Sequence, residues 1–314
     1  MSKLITQRDS FFNRLYELMK VDRDIILVSA DMGAPALDAI RRDLPAQFIN
    51  VGIAEQNAIL VSSGLALAGK KVFAYAIAPF ITLRCLEQIR VQNAMMKVPI
   101  TIVGVGAGFG YEDSGPTHHL LEDLAVMRAF PNIEINGITD AAMARSLAEE
   151  SLSKPVTNYV RLERQAAPDI YKAGDTFGDG VSVLRKGRDG YVVTTGSLNH
   201  TALRLVTELE ASGLDVGVID LYTLPVNLEN FASAVKDARL LITIEEHFLP
   251  GGLGGAVCEA LQDLELAIPV KRLGLDPAKG YCYQYGGREV LRSYYGIGYD
   301  QLKERIAVLA ARKG

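Results

Sequence analysis

The stretch VGIAEQN, residues 51–57, contains the junction that decides the fold class. The apolar run Phe48–Val51 predicts a short strand, and Ala54–Ala68, rich in small and apolar residues, predicts a helix. Gly52 supplies the turn between them, which places Glu55 in the first turn of the helix. A strand that passes through a glycine turn directly into a helix is typical of α/β proteins, whose ligands bind beyond the carboxyl ends of the strands.

The same alternation of apolar strands and helices extends along the whole chain. The predicted strands are Ile25–Ser29, Phe48–Val51, Val72–Ile77, Pro99–Val105, Ile133–Asn136, Val156–Arg161, Tyr191–Thr195, Val216–Asp220, Leu240–Glu245 and Val270–Leu273. The predicted helices are Gln7–Met19 with Thr6 as N-cap, Ala54–Ala68, Ile81–Met96, Glu122–Ala129, a helix capped by Asp140 that runs to Leu152, Asn199–Ser212, Leu228–Lys236, Gly254–Gln262 and Tyr299–Ala311. This pattern predicts an α/β protein with two doubly wound, mostly parallel sheets.

Chain length and one irregular segment predict two domains. The 314 residues exceed what a single compact core usually holds. A stretch rich in Ala, Pro, Gly and Asp separates two α/β units, so we expect domains at residues 1–165 and 181–314 with a linker at 166–180. The second domain is expected to begin with a hairpin around Arg188-Asp189-Gly190.

Composition and charge argue against several classes of protein. The net charge of −4 gives no basic surface for nucleic acid or an acidic membrane. No apolar run reaches the roughly 18 residues that a membrane helix needs, and the N-terminal residues show no signal sequence, so we expect a cytoplasmic protein. The three cysteines are scattered without CxxC spacing, which argues against a zinc site or a disulfide framework. We predict no metal ligand on this chain.

Several side chains after predicted strands could carry chemistry, and on the residues alone each also has a structural interpretation. Glu55 either complements the dipole of a helix N-terminus or takes part in catalysis. Phe80 could stack on a flat ligand, although aromatic rings at such places are also common in cores. His118 and His119 end a long Gly-rich loop, residues 106–117, whose length suggests function, while a surface or capping role for either histidine stays open.

Several segments occur together in the order and spacing of one known family. They are AEQN at 54–57, APF at 78–80, QIR at 88–90, GPTHH at 115–119, RAFPN at 128–132, EEH at 245–247 and YGG at 285–287. The sequence thereby resembles the transketolase family over nearly its whole length. The resemblance corresponds to the pyrimidine-binding domain followed by the C-terminal domain, without the domain that binds the diphosphate of the cofactor.

The resemblance implies a thiamin diphosphate cofactor and names the residues that would contact it. Glu55 would be catalytic, because it would hydrogen-bond the ring nitrogen of the aminopyrimidine and share its proton. Phe80 would stack on the same ring, and Asp31 and Ile53 would also lie near the cofactor. Magnesium, or calcium, would be bound with the diphosphate mainly by a partner subunit.

The resemblance also implies a substrate-binding set, which comprises His118, Arg164, Arg8 and Ser114. His118 would be the second catalytic residue, placed over the reacting carbon and hydrogen-bonded to substrate oxygens. Arg164 and Arg8 match phosphate-binding arginines of the family. Three positions depart from the full-length enzymes, which carry a histidine at the position of Gly106, an aspartate at that of Ser114, and a serine that helps to hold the substrate phosphate at that of Ala36.

The function implied is transfer of a two-carbon ketol unit between sugar phosphates or related carbonyl compounds, by the C-terminal subunit of a split transketolase. The partner would be an N-terminal, diphosphate-binding subunit, and self-association of this chain would give a heterotetramer. The alternatives are the beta subunit of a 2-oxoacid dehydrogenase first component, a deoxyxylulose-phosphate-synthase-like enzyme, and an inactive regulatory paralogue. The GPTHH segment favours transketolase over the dehydrogenase, and the combined presence of Glu55, Phe80 and His118 argues against an inactive paralogue.

Three further motifs invite a ligand-binding interpretation and are predicted to be structural. The triplet Gly178-Asp179-Gly180 resembles the start of a magnesium motif but lacks the asparagine needed downstream, so we predict a turn. The glycine run at 251–255 could bind an anion at a helix N-terminus, yet the family resemblance makes it structural. The segment Glu245-Glu246-His247 is predicted to be a polar cluster at a strand end, because adjacent acids are poorly placed to converge on one ion.

Overall fold

Buried apolar strands form two sheets, and helices flank both of them. The computed structural model describes residues 4–33 and 35–311. The first elements are α1 (Gln7–Val21), β1 (Ile25–Ser29), α2 (Pro35–Asp43), β2 (Phe48–Asn50), α3 (Glu55–Leu67), β3 (Lys71–Ile77), α4 (Ala78–Ile81), α5 (Leu86–Gln88), β4 (Thr101–Val105), α6 (Asp123–Met127), β5 (Ile133–Gly137), α7 (Ala141–Glu150) and β6 (Thr157–Leu162). The following elements are β7 (Val181–Arg185), β8 (Tyr191–Thr194), α8 (Leu198–Glu210), β9 (Gly217–Leu221), β10 (Thr223–Leu224), α9 (Leu228–Val235), β11 (Leu241–Phe248), α10 (Leu253–Asp263), β12 (Val270–Leu275), α11 (Arg288–Tyr295) and α12 (Tyr299–Ala311). The predicted α/β class is confirmed, and within the described ranges no helix has the length and apolarity to cross a bilayer.

The first sheet has seven strands in the order β10-β5-β6-β4-β3-β1-β2, all parallel to their neighbours except β10. Its strands β1, β4 and β6 are buried along their whole length, because helices cover both faces. The caps predicted for α1 and α7 are confirmed. The Thr6 hydroxyl accepts a hydrogen bond from the Asp9 amide at 3.0 Å, and the Asp140 carboxylate accepts one from the Met143 amide at 2.8 Å.

The second sheet has five strands in the order β12-β11-β8-β9-β7, with only β7 antiparallel to its neighbour. The hairpin predicted around Arg188-Asp189-Gly190 is therefore wrong, since β7 and β8 do not pair. β8 lies between β9 and β11, so it has no free edge for β7. The turn instead bonds to the approach to β9, where the Asp189 amide donates to the Asp215 carbonyl at 2.8 Å.

The single helix predicted for Ile81–Met96 is also wrong, because the segment consists of short helical pieces. A 3₁₀ turn at 83–85 separates α4 from α5, and a π-helical segment follows at Ile89–Met95. The Thr82 hydroxyl donates to the Ala78 carbonyl at 2.6 Å at the end of α4, a local bond that competes with helix continuation. Helices α2 and α11 are additional to those predicted from the sequence.

A buried network of charged side chains joins the two sheets. Arg288, at the start of α11, lies 2.7 Å from Glu246 of β11 and 2.6 Å from Glu163, which follows β6. Arg292 contacts the same Glu246 carboxylate. Burial opposes ionisation of Glu246, yet the two arginines hold its pKa well below the usual range. The short β10 adds a second connection, because it pairs with β5 of the first sheet.

Arg288→Met should destabilise the folded chain, because it leaves Glu163 and Glu246 buried with less positive charge around them. We expect a loss of about 3 kcal/mol in unfolding free energy, the low end for a broken buried ion pair, since Arg292 still contacts Glu246. Urea unfolding followed by circular dichroism measures the change. Arg188→Met is the control, because Arg188 is 89% exposed and should contribute nothing measurable. Equal stabilities of the two variants would contradict this role of Arg288.

Candidate active site

Glu55 is a buried carboxylate at the carboxyl edge of the first sheet. It is the first residue of α3, directly after the turn that follows β2, and is only 4% exposed. Arg84, between α4 and α5, donates from Nη1 to Glu55 Oε2 at 2.6 Å. Because an unpaired charge is costly to remove from water, this contact compensates the Glu55 carboxylate inside the fold.

Arg84 also covers the ring of Phe80. Phe80 lies in α4 just beyond β3 and is half-buried, and the Arg84 Cζ atom lies 4.2 Å from its ring centroid. The Gln56 side chain donates to the Arg84 carbonyl at 3.0 Å and fixes the backbone there. The sequence prediction missed Arg84. A usable signal existed, because a buried Glu55 requires a cation and Arg84 is the arginine nearest to Phe80 in the chain.

The Gly-rich loop after β4 brings one of its two histidines to the same place. The rings of Phe80 and His118 meet edge to face, with centroids 5.0 Å apart. His119 is instead buried against the Phe109 ring at 5.2 Å, and burial lowers the pKa of His119. The two histidines therefore have different environments: His118, which the family resemblance singled out, borders the open site, and His119 packs in the core.

The loop is anchored by the charged network that joins the sheets. The Phe109 amide donates to Glu246 Oε2 at 3.1 Å, and the Arg288 amide donates to Glu112 Oε2 at 2.7 Å. Gly108 packs directly on the Glu246 side chain, where an added Cβ would lie 2.3 Å from Oε2. The position of the loop therefore depends on the contact between the two sheets.

Tyr111 fills the space created by the departure from the family at Gly106. Gly106 has a φ of +95°, and an added Cβ would lie 2.3 Å from Cδ2 of the Tyr111 ring. A histidine at this position is incompatible with that packing. The ring centroids of Tyr111 and His118 are 5.9 Å apart, so an aromatic ring stands close to His118. Tyr111 was also missed by the sequence prediction, since only the folded loop brings it to Gly106.

The other residues predicted to bind substrate gather around Tyr111. The Arg164 Cζ atom lies 4.2 Å from the ring centroid of Tyr111. Burial raises the pKa of Tyr111, and the charges of Arg164 and Arg8 oppose this shift. Asp113 links two of the residues, because Arg164 Nη1 lies 3.4 Å from its carboxylate and Ser114 Oγ donates to the same oxygen at 3.1 Å.

Asp31 and Ile53 lie beyond the adjacent strands β1 and β2. The Asp31 amide donates to Asn50 Oδ1 at 3.1 Å, and Asn50 Nδ2 donates back to Asp31 Oδ1 at 2.9 Å, which links the two strand ends. Ile53 is 80% exposed, an unusual environment for a large apolar side chain. The predicted site residues thus form one group of Glu55, Phe80 and His118, a second group of Arg8, Arg164 and Ser114 around Tyr111, and this pair at the neighbouring strand ends.

Glu245, Glu246 and His247 diverge to separate partners. Glu245 accepts hydrogen bonds from the Leu253 and Gly254 amides at 2.6 and 3.1 Å, so a side chain of the protein itself fills the N-terminus of α10. Burial raises the pKa of Glu245 to about 7, and the two amides oppose the shift. In the part of the chain that the structure describes, no group of three His, Cys, Asp or Glu side chains is placed to hold a metal ion.

The sequence matches two domain families in succession. Residues 3–169 match the transketolase pyrimidine-binding domain, and residues 179–301 match the transketolase C-terminal domain. The chain is 36% identical over 301 residues to one of the subunits of the apulose-4-phosphate transketolase of Phocaeicola vulgatus, in an alignment that covers 94% of this chain and 95% of that protein. It is 28% identical over 309 residues to one of the subunits of the 6-deoxy-6-sulfo-D-fructose transketolase of Clostridium sp. strain MSTE9, and that alignment covers 98% of this chain and 95% of the other.

A solved structure supports the same assignment. It is described as a split gene transketolase in an inactive beta4 tetramer, and it shares 30% sequence identity with this chain. The two superpose with a TM-score of 0.84, over 99% of this chain and 100% of the other. Because both domain families match in order and these relatives align over almost their whole length, the chain belongs to the transketolase family, as the subunit of a split transferase that carries the pyrimidine-binding and C-terminal domains.

Proposed function

We propose that this chain provides the pyrimidine half of a thiamin diphosphate site, and that a separate subunit binds the diphosphate with magnesium or calcium. Together the two chains transfer a two-carbon ketol unit between sugar phosphates or related carbonyl compounds. The observation that carries the proposal is that one side chain, Arg84, contacts both the buried Glu55 carboxylate and the half-buried Phe80 ring at the sheet edge.

The residues of this site fit the aminopyrimidine end of the cofactor. A flat, nitrogen-bearing group already lies there, since the Arg84 guanidinium stacks on Phe80 at 4.2 Å and donates to Glu55 at 2.6 Å. Its Nη1 atom lies where the pyrimidine nitrogen that shares a proton with Glu55 would lie, and the guanidinium group lies over Phe80 where the ring would lie. A carboxylate beside an aromatic ring suits both groups for the same physical reasons, stacking and a charge-assisted hydrogen bond.

Each residue of the first group has a distinct role in this proposal. When bound, thiamin diphosphate supplies the electron sink that cleavage of a carbon–carbon bond requires. A protonated Glu55 hydrogen-bonds the pyrimidine ring nitrogen and shares its proton with it, while Phe80 holds the ring by stacking. His118, 5.0 Å from the Phe80 ring, hydrogen-bonds the substrate oxygens. Asp31 and Ile53 complete the cofactor contacts from the neighbouring strand ends.

The substrate we propose is a sugar with an anionic group. The two relatives are named for apulose 4-phosphate and 6-deoxy-6-sulfo-D-fructose, so the names specify a phosphate and a sulfo group. Support for this comes from Arg164, whose Cζ atom lies 4.2 Å from the centroid of the Tyr111 ring, next to His118, and from Arg8, whose charge also opposes the rise in the pKa of Tyr111 caused by burial. Guanidinium groups form strong, directional hydrogen bonds to such anions, and Ser114 offers a further donor.

We further propose a heterotetramer with two copies of each chain, located in the cytoplasm. Helix α3 supports an interface, because it carries apolar side chains on both faces. Ile59 is buried, whereas Leu60 and Leu67 are 45% and 65% exposed, and Ile53 just before the helix is 80% exposed. Ile53, Leu60 and Leu67 are seven residues apart, which aligns them along one side of the helix as an exposed apolar strip. Exposed apolar side chains aligned on a surface are typical of an interaction site.

Glu55→Gln should lower ketol transfer by the assembled enzyme at least about 100-fold, because the amide cannot share the proton of the pyrimidine nitrogen. Rates are measured with the partner subunit and saturating thiamin diphosphate. Glu87→Gln, at an exposed position of α5, is the control and should turn over normally. Normal turnover of the Glu55 variant would assign Glu55 to a structural role at the helix N-terminus.

His118→Ala should lower turnover about 100-fold with little change in affinity for thiamin diphosphate, since the imidazole faces the substrate in this proposal. A calorimetric titration of the cofactor beside a rate measurement separates the two effects. His119→Ala is the matched control and should reduce thermal stability instead, because His119 is buried. Lost cofactor affinity with unchanged turnover at saturation would place His118 in the cofactor site.

Leu60→Lys should prevent assembly, because it places a charge in the middle of the exposed apolar strip of α3. Light scattering of the unmodified chain should show self-association, and addition of the partner, magnesium and thiamin diphosphate should give a two-plus-two complex. Val308→Lys, at a 51% exposed position of α12, is the control and should assemble normally. A monomeric chain that forms only a one-to-one pair would disprove the heterotetramer.

A further inference from the structure

Arg84 makes both of the contacts that the proposed function assigns to the pyrimidine of the cofactor. Its Nη1 atom donates to Glu55 Oε2 at 2.6 Å, and its Cζ atom lies 4.2 Å from the centroid of Phe80. A guanidinium and an aminopyrimidine are both flat, and both hydrogen-bond a carboxyl group through nitrogen. The guanidinium donates its own hydrogen, whereas the pyrimidine ring nitrogen carries none and shares the proton of a protonated Glu55. Two such groups compete for one carboxylate and one ring.

Arg84 is placed so that its side chain can leave without a change in the backbone. The side chain is 43% exposed, whereas that of Glu55 is 4% exposed, so the guanidinium is the member of the pair that faces solvent. The backbone at Arg84 is held separately, through the hydrogen bond from Gln56 to the Arg84 carbonyl. Rotamer changes of exposed side chains are fast, so rotation of the Arg84 side chain is sufficient to open the site.

The buried Glu55 carboxylate stabilises the Arg84 side chain in this position until another hydrogen-bonding group replaces it. Removal of one partner from an ion pair leaves the other charge without compensation, and the cost is highest for the buried partner. For an ionised Glu55 that cost is avoided only while a donor lies against its carboxylate. The Arg84 guanidinium supplies this donor within the chain. When the cofactor replaces it, Glu55 takes up a proton from solvent and shares that proton with the pyrimidine ring nitrogen, so the buried group is again compensated.

We infer that Arg84 is a displaceable placeholder, which occupies the pyrimidine position in the cofactor-free subunit and moves to solvent when the cofactor binds. The inference rests on the proposed function of Glu55 and Phe80. Binding is then an exchange, because the ion pair with Arg84 is lost as the hydrogen bond to the pyrimidine forms. Arg84 therefore stabilises the cofactor-free chain and lowers the apparent affinity for cofactor, as expected when only the open fraction of a site can bind.

The test is Arg84→Met, which keeps an unbranched side chain of similar length but removes the charge. Two quantities are measured: the thermal stability of the cofactor-free chain, and the calorimetric Kd of thiamin diphosphate with magnesium on the chain assembled with its partner. We expect lower stability of the cofactor-free chain and a Kd about five- to tenfold tighter. Thiamin without the diphosphate is a second probe, and its affinity should rise by the same factor because the effect is confined to the pyrimidine end.

Arg145→Met is the matched control. Arg145 is 46% exposed and pairs with Glu17 at 2.8 Å outside the site, so its own exposure resembles that of Arg84 while its carboxylate partner is exposed as well. It should leave the Kd unchanged. A Kd for Arg84→Met that is unchanged or weaker than that of the unmodified enzyme would overturn the inference, since a permanent cofactor contact would weaken on removal.

A double variant keeps the inference testable if Arg84→Met alone folds poorly. Glu55→Gln removes the charge that Arg84 compensates, so in this background Arg84→Met should cause no further loss of thermal stability. An additional loss of the same size in both backgrounds would overturn the inference. If the unmodified complex binds no thiamin diphosphate, the proposed function fails and the placeholder fails with it. If the unmodified complex binds and the Arg84 variant binds no tighter, only the placeholder fails.

Discussion

The buried Arg288 guanidinium, shared between Glu163 and Glu246, is the contact on which the arrangement of the site depends. It connects the end of β6 in the first sheet with β11 in the second. The same Glu246 carboxylate receives the Phe109 amide, so one charged group holds both the sheet contact and the Gly-rich loop. Since this loop carries His118, a side chain more than a hundred residues away in sequence determines where the imidazole lies.

The remainder of the site follows from the topology of the first sheet. Parallel neighbours place their carboxyl ends along one edge, and α3, α4 and the Gly-rich loop all begin at that edge. Glu55, Phe80 and His118 come from three of these connections and converge without contributions from the second sheet. The second sheet acts on the site indirectly, through the charged network that fixes the loop.

If the pyrimidine half of the site lies on this chain, as proposed, the subunit must accommodate that half by itself. Glu55 is buried before any cofactor is present, and its charge needs compensation within the subunit. Arg84 provides that compensation and at the same time covers the Phe80 ring. At the other end of the site, Tyr111 packs on Gly106 and takes space that a side chain at position 106 would need. The contacts of Arg84 and the packing of Tyr111 fill space at the exposed side of the proposed site. Neither corresponds to a motif in the sequence.

The sequence by itself determined the class of fold, most elements and the identity of the family. Strand Ile25–Ser29 and the caps at Thr6 and Asp140 follow from local apolar periodicity and capping chemistry, which act between residues close in the chain. The tertiary structure alone decided which strands are neighbours, and it replaced the predicted hairpin with a β7–β9 pair. In the folded chain the segment 81–96 consists of short helical pieces, and Arg84 within it contacts Glu55. The Tyr111 ring packs on Gly106. The strand order and the Arg84–Glu55 contact join residues far apart in sequence, whose geometry no local pattern encodes. Tyr111 and Gly106 are only five residues apart, but the loop that holds them is anchored by Glu246 of the second sheet, more than a hundred residues away.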